Sequence, residues 1–271
     1  MTASPASRRP ETTSPWARDS GRWVHLFGGP YVSVDGVRLA VPQGSRRLVA
    51  FLALRRGTVE RSYLAGSLWP SGDESRAQGN LRSALWRLRR AGIEIVVADK
   101  WSMALDSDVA VDVEHVAEWA GRLVSGCPTD GDLSMAGIPP DALDLLPGWY
   151  EDWAVIGRER VRQRVMHALE ALSRTLVERG RLVEAVEVAR AAVAAEPLRE
   201  SAQRVLVEAL LALGNRAEAA QAFIEFQALL ARELGVEPSA DLRALVAGHL
   251  RGAVRWPRAA EGTSAAIASA F

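Results

Sequence analysis

Glu74-Ser75-Arg76-Ala77-Gln78-Gly79-Asn80-Leu81-Arg82-Ser83-Ala84-Leu85-Trp86-Arg87-Leu88-Arg89-Arg90 is the stretch on which the fold turns. Ala77, Leu81, Ala84, Leu85 and Leu88 recur at the spacing of one helical face, which predicts a helix over 74–90 with those residues buried. What remains outward is Arg76, Asn80, Arg82, Ser83, Trp86, Arg87, Arg89 and Arg90, with Glu74 the one acid, at the N-terminal end. Pro70-Ser71-Gly72-Asp73 turns the chain into this helix and Gly92 closes it. Such a face suits a major groove: arginine reads guanine bidentately, asparagine reads adenine, and further arginines neutralise phosphates. The same pattern also describes an amphipathic surface helix whose arginines are merely solvated, so the neighbouring segments decide.

Working outward, Trp23 to Phe27 and Tyr31 to Val34 read as short strands around Gly28-Gly29-Pro30. Asp35-Gly36 then turns into Val37 to Val41, a strong hairpin signal between apolar strands. Ser45 is a candidate N-cap for a helix through Arg56, with Leu48, Phe51, Leu52 and Leu54 on its apolar side. Gly57 ends that helix, Thr58-Val59-Glu60 reads as a short β piece, and a second helix runs from Arg61 to Trp69. After the third helix, Ile93 to Val97 and Met103 to Leu105 flank a turn near Ala98 to Ser102. Sheet, three helices and hairpin in that order are the layout of a winged helix.

Charge supports the same end of the chain. The net charge of zero hides 17 Lys+Arg against 13 Asp+Glu in residues 1–126, and 16 against 20 in residues 127–271. From Arg38 to Arg90 there are 11 Arg and three acids, Glu60, Asp73 and Glu74. A basic block in a neutral chain is an electrostatic footprint for a polyanion. A solvated arginine surface is the other reading, since Arg outnumbers Lys 32 to 1 overall. A single cysteine, Cys127, allows no internal disulfide, and the expected setting is reducing and cytoplasmic. Residues 1–20 carry Arg8-Arg9 but no apolar run after them, so they read as a disordered tail rather than a signal peptide. Val205 to Leu213, the most apolar run, is too short to span a bilayer and contains Glu208.

Asp112 to Val124 reads as an amphipathic helix, and Ser125 to Pro140, with Gly126, Pro128, Gly131, Gly137, Pro139 and Pro140, as a loop. Beyond it the chain repeats itself. Gly180-Arg181 with Glu184-Ala185 recurs as Gly214-Asn215 with Glu218-Ala219, 34 residues later, the tetratricopeptide period. Ala185, Ala189, Ala192 and Pro197 follow the first glycine; Ala219, Phe223 and Phe226 follow the second, with Ala231 where a proline would stand. Small residues let paired helices approach closely, and each pair needs neighbours, such as a helix over Val155 to Arg179, to cover its apolar face. Trp149, Tyr150 and Trp153 just before the array read either as a docking surface or as a packed hinge.

Taken together, these segments resemble the Streptomyces antibiotic regulatory protein (SARP) type of regulator, also known by its bacterial transcriptional activator domain (BTAD). The carrying motifs are Leu26-Phe27-Gly28 with Val34-Asp35-Gly36, Ser45 to Leu54, Leu68-Trp69-Pro70, Leu85-Trp86-Arg87-Leu88-Arg89-Arg90, Leu145-Leu146-Pro147-Gly148-Trp149-Tyr150-Glu151-Asp152-Trp153, Glu196 to Ser201, and Glu233 to Ser239. The resemblance implies an OmpR-like winged helix fused to a helical activation domain, binding to direct repeats near a promoter, and contact with RNA polymerase holoenzyme. Its recognition helix falls on Gly79 to Arg90, with reader positions at Arg82, Ser83 and Trp86. Relatives often carry Gly-Tyr-Arg-Leu in the second wing strand; here the chain reads Lys100-Trp101-Ser102-Met103-Ala104-Leu105, which leaves Lys100 as the basic residue of the wing.

The expected organisation is therefore mainly α with a small β component: a tail at 1–20, a winged-helix DNA-binding domain at 21–108, an all-α tetratricopeptide-like domain at 109–250, and a flexible tail at 251–271. The expected partners are double-stranded DNA, RNA polymerase and a side-by-side second copy on DNA, with no membrane, at the nucleoid. No cofactor, metal or catalytic residue is expected. His25, His115, His167 and His249 are scattered without ligand spacing, and no nucleophile-elbow or Walker-type loop is present. The alternative function is a protein-interaction adaptor built on the helical repeats, with the winged helix as a structural module.

Overall fold

The computed structural model describes residues 21–134 and 143–249; the tails expected at 1–20 and 251–271, and the end of the expected 125–140 loop, lie outside the described residues. The chain divides into two compact units, Met1–Leu172 and Ser173–Phe271.

The first unit opens with a meander of β1 (Arg22–His25), β2 (Tyr31–Val34) and β3 (Val37–Leu39). Val24 stands opposite Val32, and Val32 opposite Leu39. Asp35 and Gly36 both take positive φ, at 47° and 78°, as a tight hairpin turn of matching twist requires. Next come α1 (Arg46–Arg55), β4 (Val59–Glu60), α2 (Arg61–Leu68) and α3 (Glu74–Arg90). The wing follows as β5 (Val96–Ala98) and β6 (Ser102–Leu105), then β7 (Val109–Val111). β6 lies between β4 and β5 in a three-stranded sheet, and β7 joins the meander in parallel beside β1, pairing Arg22 with Val109 and Val24 with Val111. This is a winged helix with a β-meander in front.

Its core is the inner face of each helix against the wing sheet. Leu48, Leu52, Leu64, Leu68, Leu81 and Leu88 are at most 1% exposed, with Ile93, Ile95 and Met103 beneath them. Each such side chain contributes about 1.5–3 kcal/mol of burial. α3 keeps the expected inner stripe of Ala77, Leu81, Ala84 and Leu88, whereas Leu85, at the stripe's edge, is only half-buried. Ser45 corrects another expectation. It precedes α1 but gives no capping bond; it ends a 3-10 turn over Gln43–Ser45, is fully buried, and its Oγ donates to Ala84 O at 2.7 Å. The hydroxyl ties α1 to α3 instead of starting α1.

α4 (Asp112–Val124) leaves β7 directly. The segment after it is not all loop: Thr129 caps a 3-10 turn over Asp130–Leu133, and Arg122 grips Asp132 with two bonds of 2.9 and 2.8 Å. That grip, more than the Thr129 hydroxyl, holds the Asp132 carboxyl well below the usual range. α5 (Asp152–Glu178) begins three residues ahead of the expected start. Trp153 packs edge-on against Phe51 of α1, with ring centroids 5.2 Å apart, and against Trp149 at 5.8 Å. The two tryptophans thus serve packing, while Tyr150 points outward.

The second unit takes the end of α5 from Ser173 and adds α6 (Leu182–Ala195), α7 (Glu200–Ala212), α8 (Arg216–Leu234) and α9 (Ala240–His249). α7 packs on both α6 and α8, and α9 on α7 and α8. The sequence repeat is also a repeat of bonds. Gly180 and Gly214 take φ of 74° and 83°, the left-handed conformation that glycine adopts without strain. Just past each, Arg181 N donates to Leu176 O and Asn215 N to Leu210 O, a Schellman closure in both places. Ala185, Ala189 and Ala192 are buried between helices, and Phe223 is fully buried.

Among the described residues no helix is long and apolar enough to cross a membrane.

Candidate nucleic-acid interface

α3 is built to hold charge at one end. Asp73 caps it, its Oδ1 accepting from Arg76 N at 2.7 Å, and Glu74 occupies the first turn while Arg87, Arg89 and Arg90 occupy the last. Acid first and base last both favour the helix dipole. Arg76, Arg82, Ser83, Trp86, Arg87, Arg89 and Arg90 are exposed, as the spacing predicts. Asn80 is half-buried and stands with Arg76 beside the Trp69-Pro70-Ser71-Gly72 turn, so it lies on the shoulder of the face.

Several arginines of the first unit are engaged by carboxylates. Arg22 is paired with Asp106 at 2.9 Å, Arg47 with Glu151 at 2.8 Å and Arg122 with Asp132, and Arg56 is paired with Glu114. Among the described residues none of the five arginines of α3 is paired with a carboxylate. Their charges are held on one rigid helix, so positive potential accumulates along it. Two of the five are braced by neutral neighbours. The Arg90 guanidinium stands 5.1 Å from the centre of the Trp86 ring. Arg87 lies over Gly44, where a Cβ would come within 2.5 Å of Nη1, so the bare backbone at 44 leaves room for that side chain.

The wing turn is made by Asp99. Its Oδ1 accepts from Trp101 N and Ser102 N, both at 2.7 Å, and Oδ2 accepts from the Ser102 hydroxyl at 2.9 Å. These bonds, from the Ser102 backbone first, hold its carboxyl below the usual range. Lys100 is exposed on this turn, its Nζ 4.8 Å from the ring centre of Trp101, itself 73% exposed. Arg61, at the start of α2, donates from its backbone N to Trp101 O and from Nη1 to Asp99 O. It is therefore a basic residue of the wing, which the sequence reading passed over because its position suggests only a helix start.

The histidines serve packing where they are buried. His25 is 3% exposed, faces Ser33 Oγ at 2.8 Å and stacks on Tyr31. Burial, and then Arg38, lower its pKa to about 4, so it is neutral. His115 lies against Trp23. Among the described residues no cluster of three or more His, Cys, Asp or Glu could hold a metal ion.

Residues 110–248, more than half of the chain, match the family model of the bacterial transcriptional activator domain. The chain is 30% identical over 253 residues to the regulatory protein AfsR of Streptomyces coelicolor, covering 89% of this chain and 25% of AfsR. It is 31% identical over 217 residues to AfsR of Streptomyces griseus, covering 76% of this chain and 22% of that protein. Against the regulatory protein DnrI of Streptomyces peucetius the identity is 29% over 259 residues, covering 84% of this chain and 92% of DnrI. The chain thus spans about a quarter of the AfsR proteins and nearly all of DnrI. Among solved structures, Mycobacterium tuberculosis EmbR, determined in complex with a low-affinity phosphopeptide, has the same fold. The TM-score is 0.67 at 21% identity, over 86% of this chain and 66% of EmbR. The family model starts at residue 110, whereas packing keeps β7 and α4 with the winged helix; lineage and contact divide this chain at different places. The chain belongs to the bacterial transcriptional activator domain family, the SARP-type regulators of transcription.

Proposed function

We propose that this chain binds promoter DNA in a sequence-specific way through α3 and activates transcription by recruiting RNA polymerase. Residues 21–108 would carry DNA binding, with Arg76, Asn80, Arg82, Ser83, Trp86, Arg87, Arg89 and Arg90 in the major groove and Lys100 at the neighbouring backbone. Residues 109–250 would carry regulation and polymerase contact. Two copies would lie side by side on direct repeats, at the nucleoid in the cytoplasm. The observation that supports this reading is the concentration of five guanidiniums without carboxylate partners on one helix, α3, whereas Arg22, Arg47, Arg56 and Arg122 of the same unit are each paired with one.

The test is a gel-shift series on a duplex carrying the protein's own upstream region at rising salt. Each neutralised phosphate contributes a slope of about −0.9 in log K against log salt, so four such contacts lower affinity about 150-fold between roughly 50 and 200 mM salt. Replacing Arg82 and Arg87 with Ala should cost about 1–3 kcal/mol for each residue that reads a base, with unchanged circular dichroism. Binding that ignores salt, or that survives both substitutions, would remove α3 from the interface.

A further inference from the structure

Trp86 has no structural task that the fold explains. It is 57% exposed on a helix whose other large apolar side chains face inward. At about 100° per residue it falls opposite the midpoint of Ala77, Leu81, Ala84 and Leu88, the buried stripe. The outward line through it runs Ser75, Gly79, Ser83, Trp86, Arg90. Its N-terminal part is low in relief, since serine, glycine and serine barely rise above the backbone. The indole is the tallest group on the line, and the Arg90 guanidinium 5.1 Å from its ring centre limits its freedom to swing away.

Resting on the DNA-binding reading above, we infer that Trp86 reads the 5-methyl groups of thymines, so that the site bound by α3 carries T·A pairs facing the C-terminal half of the helix. An indole at the centre of the outward face loses its water when the helix enters the groove. The groove floor offers donors and acceptors on every base pair, but only one apolar group, the thymine methyl. Opposite G·C, the stripped ring would cover base edges that need hydrogen bonds; opposite T·A, it covers a methyl that gains by the contact. Arg82, Arg89 and Arg90 flank the ring and supply phosphate or guanine contacts beside it, so shape and charge are read by different groups.

The test starts from the full chain and a pool of random duplexes, from which bound sites are enriched. Each thymine of the enriched site is then replaced singly by deoxyuridine, which removes the methyl and leaves the pairing intact. One or two positions should lose affinity about fourfold, the worth of one buried methyl-sized group. That penalty should vanish in Trp86→Gln and persist in Trp86→Leu, which keeps an apolar side chain. Arg90→Ala should weaken both kinds of site and shrink the uracil penalty, since the ring loses its restraint. Enrichment without a uracil penalty, or a penalty unchanged in Trp86→Gln, overturns the inference and leaves DNA binding standing. Failure to enrich any duplex overturns the DNA-binding reading itself. Both Trp86 variants should melt at the parent temperature, because the ring is outside the core.

Discussion

Asp112 offers a test of how the front sheet is held to the helices. It starts α4, is 2% exposed, and accepts Leu26 N and Phe27 N on Oδ2 at 2.8 and 3.1 Å and Val113 N on Oδ1 at 2.7 Å. Burial raises its pKa from 3.8 to about 7, opposed by those backbone bonds, Phe27 first. The sign follows from proton binding. Between pH 4 and 7 the folded chain holds a proton on Asp112 that the unfolded chain has released, so the contribution of this group to stability is fullest in acid and is lost as pH rises through the folded pKa. A shift of this size has a full amplitude on the order of 4 kcal/mol, of which about 3 kcal/mol falls between pH 5 and 8. Asp112→Asn removes the titration. The amide oxygen still accepts from Leu26 and Phe27, but its NH2 meets the Val113 N–H donor to donor, at a pH-independent cost of about 1–3 kcal/mol. Urea unfolding followed by tryptophan fluorescence suits the measurement, because eight of the nine tryptophans precede residue 154. The parent's advantage should be greatest below about pH 4, and the parent-to-variant difference should fall by about 3 kcal/mol between pH 5 and 8, leaving the variant the more stable at pH 8. A parent-to-variant difference that is flat with pH, or that grows as pH rises, would refute the reasoning and mean that the carboxylate is ionised in the fold.

Two further substitutions probe the scaffold. Ser45→Ala removes the α1–α3 bond to Ala84 O and should cost about 1 kcal/mol in the same unfolding assay, whereas a hydroxyl that mattered only as a local cap would leave the α3 amides unchanged in hydrogen exchange. Phe223→Ala empties a fully buried site in α8 and should cost about 3–5 kcal/mol, read from helical circular dichroism on thermal melting; a loss below 1 kcal/mol would show that α7 and α8 are not packed through that ring.

The parts of the fold that were legible in the sequence are those set by short-range chemistry. The bounds of α3 follow from Asp73 at one end and Gly92 at the other, and the β2–β3 turn from Asp35-Gly36, because cap and turn residues act within a few positions. The Gly180 and Gly214 repeat was legible for the same reason. What stayed hidden depends on partners distant in the chain. β7 is three residues of alternating valine and alanine and becomes a strand only because β1, 87 residues earlier, offers its edge. Ser45 has the right type and place for a cap, yet Ala84 O claims its hydroxyl. Of the candidate interface, the exposed arginines and Trp86 could be read from period alone. That Asn80 sits on the shoulder, that Arg87 needs the bare Gly44, and that Arg61 belongs to the wing could not, since each is decided by another segment packing against it.

The parallel pairing of β7 with β1 bears on how such proteins can be cut and recombined. A fragment ending at residue 108 would discard the strand that covers the open side of β1, together with the carboxylate that satisfies the amides of Leu26 and Phe27. The bared edge would present unpaired N–H and C=O groups to any other chain and invite sticking between copies. A grafted or isolated DNA-binding module should therefore retain at least the first turn of α4, and chimaeras joined just upstream of it should be recovered mainly as aggregates.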